Sequence, residues 1–186
     1  PPRSTLFPYT ALFRSRDILR LTGRLVTTNT ACTSGSLAIG QAYELIKDGK
    51  QDVMIAGGAD ELSPTESAVF DTLFATSVMN DHPELAPAAY DKNRDGLVIG
   101  EGAGCLILEE YEHAKARGAK IYAELIGFGS NTDGEHITQP KKETMQHALE
   151  LAIEDAGISP DAIGYVNGHG TATHHGDIAE CWATYN

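Results

Sequence analysis

The sequence has 186 residues, of which 41% are hydrophobic, and a formal net charge of -12, so it is long enough to bury one sizeable core. The acidic balance argues against a nucleic-acid groove or an anionic membrane surface as partner, and no apolar run reaches the length of a transmembrane helix. The three cysteines form an odd set without a short paired spacing, which argues against a disulfide framework or a zinc finger and favours a reducing, cytoplasmic setting.

The first residues differ in character from the rest of the chain. Residues 1–15 show neither a helical nor a strand period, and they lack the apolar region of a signal peptide. They resemble translated sequencing-adapter sequence. We therefore expect a non-native leader over residues 1–15 and leave it out of the fold prediction. Its presence in a clean genomic reading frame would contradict this expectation.

The residues around Cys32 predict a strand, a sharp turn and a helix. Leu25–Thr30 is rich in β-branched residues, and Thr33–Lys47 has an amphipathic helical period with Gly49 suited to its end. A thiol at a helix N-terminus gains from the positive end of the helix dipole and from backbone N–H groups, which favour a thiolate and an oxyanion. The competing interpretation is an inert, buried cysteine, because single cysteines usually serve as small hydrophobes.

The remaining chain alternates predicted strands and helices with glycine turns. Strands are expected at Asp52–Ala56, at Leu97–Glu110 as two strands divided by a turn at Gly100–Gly104, at Ile121–Gly129 and at Ile163–Asn167. Helices are expected after the N-cap Ser63 with Pro64 first, at Glu112–Arg117, at Lys142–Ala156 closed by Gly157, and from Ile178 onward. Turns and loops are expected at Gly57–Gly58, Met79–Gly96, Asn131–Pro140 and Ser159–Asp161. This alternation predicts an α/β protein with a mostly parallel sheet, and the glycine run lacks the Gly-Lys-Ser/Thr of a nucleotide site.

A second chemical motif follows the last predicted strand. His169 lies between two glycines at the C-terminal end of that strand, where open α/β sheets bind ligands, and Thr171 and Thr173 present hydroxyls from the same turn. The competing interpretation is a structural histidine in a glycine turn. His174 and His175 match no tetrahedral ligand spacing, so we expect no metal and place them in a solvated loop.

Three motifs in this order resemble the elongating β-ketoacyl-[acyl-carrier-protein] synthases of the thiolase-like superfamily. The motifs are Thr30–Gly35, Tyr90–Gly104, and Asn167–Thr173 followed by Gly176 and Asp177. The resemblance covers the chain from Leu25 to its end. It implies an α/β fold of the thiolase-like αβαβα sandwich type that is incomplete here. The chain would supply the end of the N-terminal half and the start of the C-terminal half, as a partial ketosynthase domain over residues 16–186.

The resemblance also implies an activity, the decarboxylative Claisen condensation of an acyl thioester with malonyl-acyl carrier protein in fatty-acid or related polyketide synthesis. Cys32 matches the nucleophile that takes the acyl chain, with its own backbone N–H as half of the oxyanion hole. His169 matches the first of two histidines that support decarboxylation and stabilise the enolate. Thr171 and Thr173 match hydroxyls that hold the phosphopantetheine arm. No separate cofactor is expected, because the substrates are carried on that arm.

Other positions have weaker counterparts in the family. Asp177 and Glu180 match the acidic positions after the histidine motif, and the second of these pairs with a lysine in the family. His136 and Thr138 fall in the loop that borders the substrate channel. Ala88 and its neighbour replace the usual Arg-Pro before the aromatic residue. The family's lysine, second histidine and glycine-rich oxyanion loop have no counterpart here, so we expect this polypeptide by itself to be inactive.

The resemblance implies acyl carrier protein as a partner and a cytoplasmic homodimer whose sheet continues through an edge such as Leu25–Thr30. Carrier proteins are usually acidic, so docking would need a local basic patch on this acidic chain. A polyketide or aryl-polyene ketosynthase is the alternative within the superfamily. A non-catalytic chain-length-factor subunit is a further alternative, although such subunits lack the nucleophile. A cysteine hydrolase is another, but Gly170–Thr173 has no role in that chemistry.

Overall fold

The computed structural model describes residues 15–134 and 139–185. Its elements, in chain order, are α1 (Ser34–Lys47), β1 (Val53–Asp60), α2 (Pro64–Thr72), β2 (Gly102–Glu109), α3 (Tyr111–Ala116), α4 (Lys142–Ala156) and α5 (His174–Tyr185), with single 3-10 turns at Pro83–Leu85 and Pro160–Ala162. Within the described ranges, none of the helices has the length and apolar character needed to cross a membrane.

The chain divides into two compact units. The first unit contains the described residues up to Glu61 together with Glu101–Glu124, and the second contains Leu62–Gly100 together with Leu125 and the residues after it. Helices α1 and α3 and both strands therefore belong to the first unit, and helices α2, α4 and α5 to the second.

The first unit is built on an antiparallel pair of strands, β1 and β2, with α1 packed against β1. The register runs from Val53 opposite Glu109 to Asp60 opposite Gly102. Helix and strand come close at two glycines, because a Cβ placed on Gly58 would lie 3.3 Å from the Cα of Gly35. The small residues that open α1 therefore let the helix approach the sheet.

The prediction of a mostly parallel sheet is wrong for the residues that the structure describes. Their one sheet has two strands, and the pair is antiparallel. Leu25–Thr30, Ile121–Gly129 and Ile163–Asn167 contain no strand, although Thr30 forms an isolated bridge with Cys32. A strand depends on backbone hydrogen bonds to a neighbour, and β-branched composition does not say whether a neighbour is within reach. The broader prediction of an α/β protein is confirmed.

The predicted turn at Gly57–Gly58 is also wrong, since β1 runs straight through both glycines to Asp60. Glycine is required there by close approach rather than by a bend. A Cβ on Gly57 would collide with the carbonyl oxygen of Gly104 and would lie 2.7 Å from the Cα of Cys105.

The segment Leu97–Glu110 contains one strand rather than two. β2 begins inside the glycine run, at Gly102, and Leu97 forms only an isolated bridge with Thr76. The glycines at this point pair with β1 instead of forming the predicted turn at Gly100–Gly104.

The helix ends are the most accurately predicted features. Gly49 follows α1 with φ of 66°, and Gly157 follows α4 with φ of 65°, both in the left-handed region that ends a helix. At the start of α2, the Ser63 side chain accepts a hydrogen bond from the Glu66 N–H at 3.1 Å, with Pro64 as the first helical residue. These signals were predictable because each involves only neighbouring residues.

The second unit is organised around the packing of α4 against α5. Residues 127–129 lie flat on α4, because a Cβ on Gly127 would sit 2.8 Å from the Cβ of Ala156, and one on Gly129 would sit 2.5 Å from the backbone nitrogen of Ala152. Only glycine permits this approach, so the contact with α4 determines the path of the backbone at residues 127–129.

Helix α5 begins at His174, four residues before the predicted start at Ile178. His174 and His175 are exposed, as predicted, but they belong to a helical turn and not to a loop. The Thr173 hydroxyl accepts a hydrogen bond from the Gly176 N–H at 3.2 Å, which is the pattern of a threonine N-cap. The sequence motif predicts only a substrate contact for Thr173, so this N-cap is a finding of the structure.

Candidate active site

Cys32 lies in a tight turn at the entrance to α1. It is exposed, and Thr33 after it is the N-cap of the helix. Ala31 before it has φ of 53°, a left-handed conformation that costs energy for a residue with a Cβ and persists only where neighbours hold it. The structure therefore presents the thiol on a sharp bend, as the sequence predicted.

Hydroxyl groups hold this bend closed. The Ser34 hydroxyl donates to the carbonyl of Ala31 at 2.6 Å and accepts from the Thr30 N–H at 2.8 Å. The Thr33 hydroxyl donates to the carbonyl of Thr30 at 2.8 Å, and that of Thr28 donates to the carbonyl of Ser34 at 2.9 Å. The side chains around Cys32 therefore clamp the turn, a role that the sequence pattern does not predict.

The setting of Cys32 suits a reactive thiol. None of the three cysteines is in a disulfide, and all three are exposed. An exposed thiol does not fit the interpretation of a buried, inert hydrophobe. The position just before a helix N-terminus favours the thiolate through the helix dipole and the N–H groups of the first turn. Its role as the nucleophile stays a prediction.

Residues 168–173, which we call the histidine turn, lie in the second unit. The carboxylate of Glu180 fixes the backbone of this turn. One oxygen of Glu180 accepts the His169 N–H, and the other accepts the Gly170 N–H at 2.8 Å. The second oxygen also accepts the hydroxyl of Tyr90 at 2.6 Å. Gly170 has φ of 58°, which a residue with a side chain would adopt only at a cost. The imidazole of His169 is therefore carried on a backbone with a defined path.

Asp177 is a second carboxylate that binds the backbone of the histidine turn, and it is buried. Its side chain is 2% exposed and lies 3.2 Å from Nε of Arg94, whose side chain is 10% exposed. It also accepts the Tyr90 N–H at 2.6 Å and the Ala172 N–H at 3.0 Å. A buried carboxylate is stable only when its charge and lone pairs are matched. Asp177 therefore joins the loop of Tyr90 to the loop of His169.

Arg94 joins the carboxylate of Asp177 to the backbone at the start of α5. Its guanidinium donates to the carbonyl of Thr173 at 3.2 Å and to that of His174 at 2.8 Å. A planar guanidinium presents several donors in a fixed geometry, so one side chain fixes both the carboxylate of Asp177 and the first residues of the helix.

These contacts shift two pKa values. Burial by itself raises the pKa of Glu180, but the hydrogen bonds from Tyr90, Gly170 and His169 outweigh it, and the pKa lies below its usual value. Burial, followed by the hydrogen bond to Glu180 and the charge of that carboxylate, raises the pKa of the Tyr90 hydroxyl. The pair therefore consists of a carboxylate and a neutral phenol at neutral pH.

The hydroxyls of Thr171 and Thr173 lie 2.8 Å apart, and either can donate to the other. Gly176 is packed against both, because a Cβ placed on it would lie 2.6 Å from the Thr171 hydroxyl and 2.5 Å from that of Thr173. The structure brings these hydroxyls together, and their contact with substrate stays a prediction.

The structure leaves two predicted residues undescribed and adds two others. His136 and Thr138 lie outside the described residues. Tyr90 and Arg94 were part of the quoted middle motif, but no role was predicted for them, because nothing local signals contacts across about 80 positions of sequence. Among the described residues, no group of three or more His, Cys, Asp or Glu side chains could hold a metal ion.

Comparison with known proteins identifies relatives of this chain. The model of the family described as beta-ketoacyl synthase, N-terminal domain, matches residues 16–114, and that of the C-terminal domain matches residues 122–186. The 3-oxoacyl-[acyl-carrier-protein] synthase 2 of Vibrio cholerae serotype O1 is 50% identical over 163 residues, which are 86% of this chain and 39% of that protein. The chain therefore spans about two fifths of the length of such curated relatives.

Solved structures give the same result. A beta-ketoacyl synthase from Burkholderia phymatum STM815 superposes with a TM-score of 0.92 at 58% identity, covering 96% of this chain and 44% of that one. A type II polyketide ketosynthase, in complex with its acyl-carrier protein and bound to the hexaketide, gives a TM-score of 0.86 at 36% identity, covering 94% of this chain and 44% of that one.

Proposed function

The chain belongs to the β-ketoacyl synthase family, and we propose that the protein containing it condenses an acyl thioester with malonyl-acyl carrier protein. Membership confirms the predicted thiolase-like α/β fold, of which the chain forms a part. The observation that best supports the proposed activity is the exposed Cys32 at the entrance to α1, on a bend that neighbouring hydroxyls hold in place. We include in the proposal a cytoplasmic homodimer and acyl carrier protein as the partner.

The first step of the proposed reaction is acyl transfer to Cys32. Its thiolate attacks the thioester carbonyl, a new carbon–sulfur bond forms, and the bond to the carrier sulfur breaks. The carrier thiolate leaves and takes up a proton. The backbone N–H of Cys32 and the N-terminal end of α1 stabilise the negative charge that develops on the carbonyl oxygen.

The second step forms the carbon–carbon bond. The imidazole of His169 donates a hydrogen bond to the thioester carbonyl of malonyl-acyl carrier protein, which stabilises the enolate formed as the bond to the carboxylate breaks and carbon dioxide leaves. The enolate carbon attacks the thioester on Cys32, and the cysteine leaves as a thiolate. Thr171 and Thr173 hold the phosphopantetheine arm, and the family's second histidine and lysine complete the site.

The alternatives differ mainly in the acyl group. A ketosynthase of a type II polyketide system is similar at 36% identity, whereas the Vibrio cholerae 3-oxoacyl-[acyl-carrier-protein] synthase 2 is 50% identical. A putative polyketide beta-ketoacyl synthase of Streptomyces cyaneus is 44% identical, as are two of the 3-oxoacyl-[acyl-carrier-protein] synthases. Fatty-acid elongation is the pathway that we propose. The presence of Cys32 and His169 argues against a chain-length-factor subunit, which lacks the nucleophile.

Peptide mapping by mass spectrometry tests the acyl transfer. The protein expressed from the full reading frame that carries this segment is incubated with an acyl-carrier thioester, and we expect the acyl group on the peptide that contains Cys32. Cys32→Ala should abolish labelling, because Cys105 lies in β2 and Cys181 lies within α5, so neither of these thiols occupies a helix entrance.

Cys105→Ala is the matched control, since Cys105 is also exposed and lies in the same unit. This variant should label like the wild type. Labelling that persists in Cys32→Ala, or that disappears in Cys105→Ala alone, would contradict the assignment.

A further inference from the structure

Tyr90 lies in the second unit, as does the histidine turn. Both its side chain and its main chain bind the carboxylates that hold this turn. Its hydroxyl donates to Oε2 of Glu180 at 2.6 Å, and its backbone N–H donates to Oδ2 of Asp177 at 2.6 Å. Both acceptors lie on α5, one turn apart. Two anchors on one helix fix the ring of Tyr90 relative to that helix.

The same carboxylate of Glu180 that accepts the Tyr90 hydroxyl also holds the backbone of the histidine turn. It takes the N–H groups of His169 and Gly170 in addition, so that three donors share two oxygens. Hydrogen bonds to a charged acceptor are about twice as strong as those between neutral groups. Without the phenol, the N–H groups of His169 and Gly170 are the donors to this carboxylate that remain among the described residues.

The ring of Tyr90 also lies directly against the backbone on either side of His169. A Cβ on Gly168 would collide with the Tyr90 hydroxyl and would sit 3.2 Å from an oxygen of Glu180. A Cβ on Gly170 would lie 3.2 Å from Cε2 of the ring. The backbone on both sides of the histidine therefore rests on the tyrosine ring and the carboxylate.

The loop that carries Tyr90 is itself held firmly. Tyr90 has φ of 65°, a left-handed conformation, and Arg94 four residues later is bound to Asp177 and to the carbonyls at the start of α5. A left-handed residue persists only where surrounding contacts over-determine it. The position of the phenol is therefore set before any substrate binds.

We infer that Tyr90 is a positioning residue for His169 and acts through Glu180. The phenol fixes the carboxylate, the carboxylate fixes the two backbone N–H groups, and these set where the imidazole points. The effect on catalysis rests on the proposed function, whereas the effect on the backbone of the turn does not. Tyr90 touches neither substrate nor reacting atoms in this account.

Tyr90→Phe in the full-length enzyme tests the inference, because it removes only the hydroxyl and keeps the ring. We expect kcat for malonyl decarboxylation to fall about ten-fold, since small errors in the placement of a catalytic group are costly. The KM for malonyl-acyl carrier protein and the rate of Cys32 acylation should stay within roughly two-fold of wild type. A purely structural role would lower both steps together.

Tyr185→Phe is the matched control. Tyr185 lies on the same helix as Glu180, but it is 84% exposed, so loss of its hydroxyl should change neither rate. Glu180→Gln should lower decarboxylation at least as much as Tyr90→Phe does, because it also weakens the hydrogen bonds from the His169 and Gly170 N–H groups. The double variant should lose little more than Glu180→Gln alone, because Tyr90 acts through that carboxylate. Fully additive losses would overturn the inference.

A readout that needs no activity separates this inference from the proposed function. Hydrogen exchange of the His169 and Gly170 amides, followed by NMR, should be faster in Tyr90→Phe than in wild type and unchanged in Tyr185→Phe. A wild-type enzyme that exchanges slowly but condenses nothing would refute the proposed function and leave the positioning role intact. Unchanged amide exchange in Tyr90→Phe would overturn the inference.

Discussion

Glu109, at the end of β2, shows how one carboxylate can join a strand to the helix after it. The guanidinium of Arg117 donates to its two oxygens at 2.6 and 2.5 Å, and Nδ1 of His113 lies 2.6 Å from one of them. The hydrogen bond from Arg117, opposed by desolvation and helped by His113, lowers the pKa of Glu109 to about 2. A carboxylate with a lowered pKa stabilises the fold only while it is ionised.

The pH dependence of stability tests this contact. The contribution of Glu109 should be fully present above the ordinary pKa of 4.5 and should be lost as the pH falls from there towards about 2. Glu109→Gln should therefore be less stable than wild type at neutral pH, by an amount that shrinks in acid. Urea unfolding at a series of pH values measures the difference.

Glu112→Gln serves as the control for this prediction, because Glu112 is exposed and its ion pair with Lys115 lies at the surface. It should change stability little at any pH. A gap between Glu109→Gln and wild type that stays constant down to strongly acidic pH would contradict the account.

The residues of the candidate site were partly predictable. Cys32 and His169 stood out because glycines and small residues surround them in motifs with a clear chemical meaning. Tyr90 and Arg94 did not, because an aromatic and a basic residue in a polar loop are usually solvated. Their importance comes from Asp177 and Glu180, more than eighty positions away, and only the folded chain brings these residues together.

At the scale of elements, the ends of helices were predictable from the sequence, whereas the pairing of strands was not. The N-cap Ser63 and the glycines that follow α1 and α4 act within a few residues of chain, so the sequence pattern contains all the information needed. The partner of a strand lies far away in sequence. The same composition therefore predicted strands both at β1, where a partner exists, and at Ile163–Asn167, where the described residues provide none.

Glycine substitutions test the close approach of β1 and β2. Gly57→Ala should lower the free energy of unfolding by about 1–3 kcal/mol, the usual cost of overpacking, because the new methyl group meets the backbone of Gly104 and Cys105. Gly102→Ala lies in the same sheet with open space around the added carbon and should be close to neutral. Urea unfolding of both variants measures the contrast, and equal effects would show that β1 and β2 are not packed as described.

At the scale of the whole molecule, family membership and activity have different support. The two family models between them match residues 16–114 and 122–186, so most of the chain is accounted for as β-ketoacyl synthase. The chain nevertheless covers 39% of the Vibrio cholerae relative. The condensing activity is therefore proposed for the protein that contains the chain.

The intact mass of the carrier protein after reaction tests the central claim most directly. Protein from the full reading frame that carries residues 16–186 is given acyl-carrier and malonyl-carrier substrates, with Cys32→Ser as the matched variant. We predict a β-ketoacyl carrier, extended by the malonyl-derived unit, from the wild type and none from Cys32→Ser. Absence of an extended product from the wild type, or its undiminished formation by Cys32→Ser, would contradict the account.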